Sequence, residues 1–384
     1  MTTTSASAPI LVLNAGSSSI KAALIAVEAA QQSSTLWQGQ RPWTPALASG
    51  EDVTTLRQAV ADCLDPWLSE GIEPWRQEIS LVAHRVVHGG ARFSQPTRFD
   101  ERVRDAITET TPLAPLHNGA ALAVIAWMNN SQALWPQPLP QWVCFDTAFH
   151  STLSEPYYSY AIPAAWRARG LRRFGFHGLN HQHIAETTTA IRLEEGASEA
   201  DLQELRLISA HLGAGCSLCA IRGGRSVATS MGLTPMEGLV MATRSGSVDP
   251  GLLLHLLRHE GLDADALDEA LNHQSGLLGL SELSGDMRVL RQAAAQGHTQ
   301  AQLALDVFSS RLLEGIGAMA AALGGVDVIA LSGGIGQNDE VLAHTLHSRL
   351  SWLGRFRLLQ IPADEEGQIA RQCAAAAGLI PADA

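Results

Sequence analysis

The chain has 384 residues, of which 46% are hydrophobic and 17% are charged, and its formal net charge is −12. This composition is typical of a well-buried globular protein and excludes a disordered chain, while the length suits two domains. The negative charge argues against nucleic acid and anionic membrane as main partners, so a phosphorylated ligand would need a local basic pocket.

The five cysteines are odd in number and lie mostly in apolar runs, which predicts a reduced, cytoplasmic protein. Cys216 and Cys219 form a C-x-x-C pair, but no second Cys or His pair lies at zinc spacing, so we predict a strand there rather than a metal or redox site. No apolar run reaches the roughly 18 residues that would span a bilayer, and no targeting segment is expected.

The first predicted elements are two strands within residues 10 to 27, joined by a tight turn of small residues from Asn14 to Ser19. Because no bulky side chain shields this turn, its backbone N–H groups and three serine hydroxyls can approach anionic oxygens. Lys21 follows the turn and is the only lysine among the 26 basic residues. Ammonium and guanidinium groups bind phosphate differently, so this lysine favours a phosphate site. An ordinary hairpin with a surface lysine is the alternative.

Strands and helices then alternate, which predicts a mainly parallel α/β sheet. The predicted elements are a strand near 35–37, a helix over 54–70 that Pro66 kinks or ends, a strand over 79–88, helices over 101–110 and from His117 with Asn118 as a candidate cap, and a strand over 141–146. Ligands collect beyond the carboxyl ends of such strands, where Asp146 stands. The irregular segment 151–170 marks the expected crossover to a second domain.

The second half repeats the opening of the chain. Residues 205–230 predict a strand, a glycine loop, a strand, a Gly-Gly turn and a strand, so we expect two copies of one unit facing each other. Two phosphate loops across a cleft suit a nucleotide-dependent phosphotransferase with a moving lid. A basic, aromatic loop at 172–178 leads into a helix from about Asn180. His181 and His183 fall on opposite sides of that helix and are predicted to face solvent.

The remaining segments place charged residues near glycine-rich stretches. Arg244 lies in the irregular stretch 231–251, and a glycine-rich loop at 332–338 links a strand to a helix. Further helices are predicted over 252–260, 263–272 and 304–323. The acidic run 364–366 precedes the final helix, where it suits either a metal ion or the positive helix terminus.

With these motifs in place, the sequence resembles the acetokinase family of acetate and propionate kinases. The resemblance spans nearly the whole chain and rests on motifs in the family's order. They are NAGSSSIK (14–21), HRVVHGG (84–90), LAPLHN (113–118), FDTAFH (145–150), FGFHG (174–178), HLGAG (211–215), TSMGLTPMEGLVMATRSGSVDP (229–250), SGGIGQN (332–338) and DEE (364–366).

The resemblance implies the fold of actin, hexokinase and the heat-shock ATPases, a duplicated ribonuclease-H-like α/β domain with an interdomain cleft, in a homodimer. It places an N-terminal domain at 1–150, joined by the C-terminal helix at about 367–384, and a nucleotide-binding C-terminal domain at 151–366. It also implies reversible transfer of the γ-phosphoryl group of ATP to acetate, giving acetyl phosphate and ADP. Mg²⁺ is the expected metal, with Mn²⁺ as an alternative.

The matched motifs imply a role for each candidate site residue. Catalytic roles fall to Asp146, His177 and Arg244. Arg85 would hold the acetate carboxylate, and the acyl methyl pocket would comprise Val87, Leu116, Phe176 and Pro235. Nucleotide binding would involve Lys21, His211, Leu212, Gly213, Ala214, Gly215, Asp286, Met287, Arg288, Gly334, Ile335, Gly336, Gln337 and Asn338. The metal ligands would be Asn14 and Glu365.

These roles make chemical sense for an anionic acceptor. A carboxyl group with a pKa near ~4 is ionised at pH 7, so acetate needs no general base. Phosphoryl transfer then depends on cationic groups that hold two anions together. We therefore expect Asp146 to orient an arginine or the metal shell rather than to act as a base.

Two other functions stay open at this point. A propionate or other short-chain acyl kinase is close, because one methylene in an apolar pocket is worth only ~1–3 kcal/mol. An ATP-driven conformational switch on the same fold is more distant, since a switch needs no clamp such as Arg85 for an acceptor carboxylate. Ala214 and Gln337 stand where the family usually has Asn and Glu, which leaves the nucleotide preference open.

Overall fold

The computed structural model describes residues 9–16, 19–29, 32–43, 53–129, 135 and 137–380 of the chain. Over these ranges the protein is mixed α/β, as the sequence predicts. None of the helices in the described ranges combines the length and apolar character that a bilayer span requires.

The strands alternate with helices along the chain. They are β1 (Ile10–Ala15), β2 (Ser19–Ala29), β3 (Gln32–Pro42), β4 (Leu81–Val86), β5 (Thr97–Arg98), β6 (Gln141–Phe145), β7 (Arg206–Leu212), β8 (Cys216–Arg222), β9 (Arg225–Thr229), β10 (Val328–Ser332) and β11 (Arg357–Gln360). The C-x-x-C pair lies in β8, which confirms the predicted strand, and all five cysteines are free thiols.

The α-helices range from a single turn to seven turns. They are α1 (Val53–Gly71), α2 (Glu101–Thr110), α3 (Pro115–Met128), α4 (Glu155–Tyr158), α5 (Ala164–Arg167), α6 (Gly178–Glu194), α7 (Glu199–Gln203), α8 (Pro250–His259), α9 (Ala264–His273), α10 (Gly276–Ser281), α11 (Met287–Ala295), α12 (Thr299–Leu323), α13 (Gly333–Asn338), α14 (Glu340–Arg349) and α15 (Glu365–Ala376). Short 3₁₀ helices lie at Glu73–Trp75, Thr111–Leu113, Ala148–Thr152 and Ser351–Leu353.

The chain divides into two compact units. The first unit comprises Met1–Phe149, Gly178–Asn180 and Asp364–Ala384, and the second unit comprises His150–His177 and His181–Ala363.

The first unit is built on a six-stranded sheet with the order β3-β2-β1-β4-β6-β5. β1 and β2 pair antiparallel, whereas β1, β4 and β6 run parallel to one another. Alternate residues of β1 enter different cores, because successive side chains of a strand point to opposite faces. Leu11 and Leu13 pack with α1 and α3, and Ile10 and Val12 pack with α15. Both faces of the sheet are therefore covered.

The second unit repeats this topology. Its sheet has the order β11-β10-β7-β8-β9. β7, β8 and β9 form an antiparallel meander like that of β1, β2 and β3, and β10 and β11 extend the sheet in parallel from β7, as β4 and β6 do from β1. The predicted duplication is confirmed. The long helix α12 packs on the antiparallel strands.

The third strand and the first helix differ from the predictions. The third strand spans Gln32–Pro42 and pairs along β2, although its largely exposed, polar residues suggested only a short strand near 35–37. α1 continues through Pro66 to Gly71, so this proline does not end the helix.

Asn118 is a third difference, because it is not a helix cap. α3 begins at Pro115 after Ala114, and Asn118 lies fully buried within its first turns. Its Oδ1 accepts the N–H of His88 at 3.0 Å, and its Nδ2 donates to the His88 carbonyl at 3.0 Å and to Thr110 Oγ1 at 3.2 Å. The side chain thus ties α3 to the segment that follows β4.

We expect Asn118→Ala to lower local stability of the first unit by about 2–3 kcal/mol, because it leaves the buried N–H and carbonyl of His88 without this partner. Hydrogen exchange of the Leu81–Val86 and Pro115–Met128 segments measures the change. Asn272→Ala is the matched control, since the Asn272 side chain bonds to Asp268 in an exposed contact. Equal hydrogen-exchange protection in Asn118→Ala and in the wild type would show that the Asn118 hydrogen bonds do not stabilise these segments.

Candidate active site

A polar cluster in the first unit lies where three parallel strands end. Asn14 is near the end of β1, Arg85 is near the end of β4, and Asp146 directly follows β6. β1 pairs with β4 and β4 with β6 in parallel, so their carboxyl ends lie at one edge of the sheet. The structure therefore brings together three residues that the motifs associate with metal, acetate and catalysis.

Asp146 holds the guanidinium of Arg85 through two hydrogen bonds. Arg85 Nε donates to Asp146 Oδ1 at 2.8 Å, and Nη2 donates to Oδ2 at 2.6 Å. Burial alone would lower the pKa of Arg85, but the attraction of Asp146 and Glu365 outweighs it, so the pKa is raised. Asp146 is thus placed to orient an arginine, which is the role expected from the sequence.

The N-terminus of α15 brings carboxylates to the same cluster. Asn14 Nδ2 donates to Glu366 Oε1 at 2.7 Å and to Glu365 Oε2 at 3.4 Å. Arg85 Nη1 donates to Asn14 Oδ1 at 3.2 Å and lies 3.5 Å from Glu365 Oε2. The predicted metal ligands Asn14 and Glu365 are neighbours, and Glu366, which the sequence did not single out, makes the shorter contact with Asn14.

Asp364 has the helix-terminus role that the sequence left as an alternative. Its side chain accepts the N–H of Gly367 at 3.0 Å and forms an ion pair with Arg371 at 2.9 Å. Asp364 therefore caps α15, while Glu365 and Glu366 face Asn14.

The oxygen atoms of this cluster suit a hard cation such as Mg²⁺. Asn14, Glu365 and Glu366 offer amide and carboxylate oxygens, and Mg²⁺ commonly takes one or two protein carboxylates together with substrate phosphates. Across the described ranges, no group of three or more His, Cys, Asp or Glu could hold a metal ion. The amide and carboxylate oxygens of Asn14, Glu365 and Glu366 are of the chemical kind that Mg²⁺ binds.

Lys21 lies on β2 directly opposite Asn14 on β1. Cross-strand partners project from the same face of an antiparallel pair, so the exposed lysine stands beside the polar cluster. The turn between the strands is closed by the Gly16 N–H, which donates to the Ser19 carbonyl at 2.9 Å. Ser17 and Ser18, whose hydroxyls the sequence assigns to phosphate, lie outside the described residues.

The four residues predicted to line an acyl pocket belong to both units. Val87 of the first unit is buried directly after β4. Phe176 and Pro235 belong to the second unit, where Phe176 is fully buried and Pro235 half-buried. Nothing is described for the Leu116 side chain. The acyl pocket therefore stays a prediction.

His177 precedes α6 in the left-handed backbone conformation, with φ 56° and ψ 23°. Among the described residues it is one of two non-glycine residues with positive φ. This conformation costs about 1–3 kcal/mol and persists only where the surroundings impose it, which is frequent at functional sites. The backbone itself thus points to a functional role for His177.

His177 and Arg244 converge on Gly215, in the glycine loop after β7. A Cβ atom on Gly215 would lie 3.1 Å from Cε1 and 3.2 Å from Nε2 of His177, and 3.3 Å from Nη2 of Arg244. Arg244 Nη1 also donates to the carbonyl of Pro235 at 2.5 Å. The lack of a side chain at Gly215 lets an imidazole and a guanidinium from separate motifs approach the same stretch of backbone.

Further histidines surround His177. The ring centroids of His177 and His211 lie 4.4 Å apart. His181 is fully buried, so its predicted exposure to solvent is wrong. Its ring nitrogens lie 2.8 Å from the hydroxyls of Ser209 and Ser217, and these partners on β7 and β8 make burial of the polar ring tolerable.

A cavity of about 1090 Å³ in the second unit is lined by most of the predicted nucleotide residues. Those that line it are Gly213, Ala214, Asp286, Met287, Arg288, Gly334, Ile335 and Asn338. Small-molecule sites usually occupy ~300–1,000 Å³, so the cavity is large enough for a nucleotide. The predicted residues outside its lining are Lys21, His211, Leu212, Gly215, Gly336 and Gln337.

Asp286 and Arg288 form a local pair at this cavity. Asp286 accepts the backbone N–H of Arg288 at 2.8 Å, and Arg288 Nη2 donates to Asp286 Oδ2 at 2.6 Å. The hydrogen bonds from Arg288 lower the pKa of Asp286 to about 2. Asp286 therefore stays ionised near neutral pH, and it caps α11 at the cavity wall.

Residues 333–338 form a short helix, α13, instead of the predicted loop. Glycine disfavours helix on intrinsic grounds, so a loop was the natural expectation. Packing of α13 on β7 and β10 overrides that preference. At Gly333, which has φ 78°, a Cβ would lie 2.6 Å from the Leu212 carbonyl oxygen, so glycine is required there for close approach.

Six residues of the cavity lining were not predicted from the sequence, and a salt bridge joins two of them. Arg291 and Asp339 both line the cavity, and Arg291 Nη2 lies 2.9 Å from Asp339 Oδ2. Helical spacing was the available signal, because Arg291 follows Arg288 by three residues and so lies on the same face of α11. Asp339 directly follows the predicted residue Asn338.

The chain matches a family model and curated sequences over most of its length. The model of the acetokinase family matches residues 9–377. An acetate kinase of Synechococcus sp. (strain JA-2-3B'a(2-13)) is 44% identical over 365 residues, covering 90% of this chain and 88% of the relative. An acetate kinase of Deinococcus radiodurans is 44% identical over 355 residues, covering 90% of this chain and 86% of the relative.

Solved structures give the same result for the fold. The crystal structure of Porphyromonas gingivalis acetate kinase aligns with TM-score 0.80 at 33% identity, covering 94% of this chain and 98% of that one. The crystal structure of a propionate kinase from Francisella tularensis aligns with TM-score 0.81 at 32% identity, covering 95% and 98%. These likenesses confirm the predicted fold class of duplicated ribonuclease-H-like α/β units.

We expect Gly215→Ala to reduce kcat by roughly 10- to 100-fold, because the added methyl group displaces His177 or Arg244 by a few tenths of an ångström. Steady-state kinetics measure the loss. Gly317→Ala is the matched control, since the new Cβ would make only ordinary contacts at 3.8 Å and beyond with Trp352. If Gly215→Ala retained the kcat of the wild type, the approach of His177 and Arg244 to Gly215 would have no part in turnover.

Proposed function

The chain belongs to the acetokinase family, and on that premise we propose that it catalyses the reversible, Mg²⁺-dependent transfer of the ATP γ-phosphoryl group to acetate. The products are acetyl phosphate and ADP, formed by direct in-line transfer. The enzyme is a phosphotransferase with a carboxyl group as acceptor. The observation that carries the proposed chemistry is the approach of His177 and Arg244 to the backbone of Gly215.

Both substrates are anions, so the enzyme must offset their repulsion. Acetate is ionised near neutral pH and needs no base to become a nucleophile. The transition state of phosphoryl transfer is loose and spreads charge over the equatorial oxygens, so fixed cationic and hydrogen-bond donor groups stabilise it. The charged groups described above are of the kind this reaction requires.

We infer that Arg85 binds the acetate carboxylate. A guanidinium has five N–H donors, and Asp146 accepts two of them. The pairing fixes the plane of the guanidinium before substrate arrives, which favours forked binding of a carboxylate. In this proposal Asp146 contributes to catalysis through Arg85 rather than as a base.

We assign nucleotide binding to the cavity of the second unit. We also infer from the resemblance that Lys21 contacts nucleotide phosphate. His177 and Arg244 would stabilise the transferring phosphoryl group. Loss of an arginine in this role costs about 10³–10⁵ in rate in other phosphotransferases. The cavity is lined by Ala214 where the family usually has Asn, so one side-chain contact to phosphate is absent at this position.

Asn14 and Glu365 would hold the Mg²⁺ ion, with Glu366 beside them. When bound, the ion supplies positive charge that neutralises phosphate oxygens. Mn²⁺ takes the same oxygen ligands and would replace it.

Acetate is the proposed acceptor, and propionate is the nearest alternative. The relatives at 44% identity are named acetate kinases, whereas one structural neighbour at 32% identity is a propionate kinase. Because one methylene is worth only ~1–3 kcal/mol, we expect a preference rather than exclusion.

We also propose a homodimer, and α8 supports it. This helix contains five leucines and no buried residue. Leu252, Leu254 and Leu257 are 46%, 47% and 38% exposed. A patch of exposed leucines on one helix is typical of a protein interface, and a second copy of this chain is the occupant we propose.

Two further expectations complete the proposal. The free thiols of all five cysteines suit the reducing cytoplasm, where we place the enzyme. We further propose that the two compact units are the N-terminal and nucleotide-binding domains expected from the resemblance.

Leu254→Glu combined with Leu257→Glu should convert a dimer into monomers, because buried carboxylates would oppose burial of α8. Light scattering coupled to size-exclusion chromatography gives the mass. Leu303→Glu on α12 is the control, since Leu303 is also 45% exposed but lies away from α8 in the sequence. A wild-type mass of one chain, or an unchanged mass in the double variant, would contradict the proposal.

Arg85→Ala should raise the KM for acetate by roughly 10- to 100-fold, since charge-assisted hydrogen bonds are each worth ~1.5–3 kcal/mol. The KM for ATP should stay within about twofold of the wild-type value. Hydroxylamine traps the acyl phosphate formed from ATP, Mg²⁺ and acetate, propionate or butyrate, and we expect acetate to give the highest kcat/KM.

Arg92→Ala is the matched control, because Arg92 forms an exposed ion pair with Glu109. Unchanged acetate kinetics in Arg85→Ala would remove Arg85 from its role. A wild-type enzyme that forms no hydroxamate from acetate would overturn the proposed function.

A further inference from the structure

A chain of hydrogen-bonded side chains runs from His177 into the interior of the second unit. His177 Nδ1 lies 2.9 Å from Ser217 Oγ, and the same oxygen lies 2.8 Å from His181 Nε2. His181 Nδ1 in turn lies 2.8 Å from Ser209 Oγ. Ser209, Ser217 and His181 are fully buried. The proton on each group is therefore fixed by its neighbours in the chain.

His181 is neutral in this environment. Burial lowers its pKa well below the ordinary value, and His150 and His211 lower it further. A neutral imidazole has one N–H donor and one acceptor nitrogen. Each ring nitrogen of His181 faces a serine hydroxyl. If Ser209 donates to one nitrogen, the other nitrogen must carry the proton and donate to Ser217.

Ser209 determines which partner donates in each of these hydrogen bonds. Among the residues that the structure describes, His181 Nδ1 is the hydrogen-bond partner of the Ser209 hydroxyl. A hydroxyl has one donor and two acceptor sites, and a buried donor without an acceptor is costlier than an unused lone pair. Ser209 therefore donates to Nδ1, and His181 carries its proton on Nε2.

The same donor-to-acceptor direction continues from His181 to His177. His181 Nε2–H donates to Ser217 Oγ, and the Ser217 hydroxyl donates to Nδ1 of His177. The proton of a neutral His177 ring is then on Nε2, the ring nitrogen that would lie 3.2 Å from a Cβ atom on Gly215. The reverse order would leave the buried Ser209 hydroxyl without an acceptor.

We propose that Ser217 and His181 are positioning residues that hold His177 as its Nε2–H tautomer, so that Nε2 donates a hydrogen bond to the transferring phosphoryl group. The role of that donor rests on the proposed function, whereas the tautomer does not. With Nδ1 engaged by Ser217 and Nε2 protonated, His177 has no free lone pair. It therefore acts as a hydrogen-bond donor and neither as a base nor as a covalent phosphate acceptor.

Nitrogen NMR of ¹⁵N-histidine-labelled protein tests the tautomer directly. The protonated and unprotonated ring nitrogens have distinct chemical shifts, and the His177 signals are assigned by their loss in His177→Asn. We expect an unprotonated Nδ1 and a protonated Nε2 for His177 near neutral pH. A protonated Nδ1 in the wild-type protein would overturn the proposal, whatever the behaviour of the variants.

Ser217→Ala tests the positioning role. We expect a mixture of His177 tautomers and a kcat reduced by roughly 10- to 100-fold, with the KM values of acetate and ATP within about twofold. Ser217→Thr retains the hydroxyl and should restore both the Nε2–H signal and kcat. If Ser217→Ala kept the single tautomer and the wild-type kcat, Ser217 would have no positioning role.

Ser209→Ala is the matched comparison at the far end of the chain. It removes a donor and leaves only a lone pair of His181 without a partner, so we expect an unchanged His177 tautomer and a smaller loss of kcat than in Ser217→Ala. A change of His177 tautomer in Ser209→Ala would mean that the order is reversed. Absence of acetate-dependent activity in the wild type would overturn the proposed function, and the wild-type spectrum would still decide the tautomer.

Discussion

The ion pair between Arg85 and Asp146 is the interaction on which the polar cluster of the first unit depends. A guanidinium taken out of water is costly unless its partner has good geometry, and the two hydrogen bonds of 2.8 and 2.6 Å supply it. The pair forms because β4 and β6 are parallel neighbours that end at one edge of the sheet. Sheet topology thus keeps a positive charge in place among acidic groups.

The two units use the same strand order for different purposes. In each unit a residue at or just after the end of the first strand makes close contacts with other segments, but the contacts differ. In the first unit Asn14 meets the carboxylates of α15. In the second unit Gly215 has no side chain, which admits His177 and Arg244. Duplication supplies two similar sheet edges, and the residues near each turn decide which side chains can approach that edge.

Most of the fold could be predicted from the sequence, because β-branched runs, glycine turns and the repeat are local signals. The close approach of two side chains to Gly215 could not be predicted, and neither could the hydrogen-bond partners of Asn118 and His181. Residues distant in sequence supply these contacts. The helix at 333–338 was missed since packing outweighs glycine's low helix propensity. Glu366 was missed because two adjacent acids look alike until the fold shows which one meets Asn14.

The left-handed backbone of His177 has a consequence for how the protein evolves. The backbone strain lowers the stability of the folded state, whereas the contact of Nδ1 with Ser217 holds the imidazole in place. In the proposed role, the ring would therefore lose little entropy when it meets a ligand. Glycine or asparagine would relax the backbone at this position. Under the role proposed for His177, selection for heat resistance and selection for turnover would oppose each other at this residue.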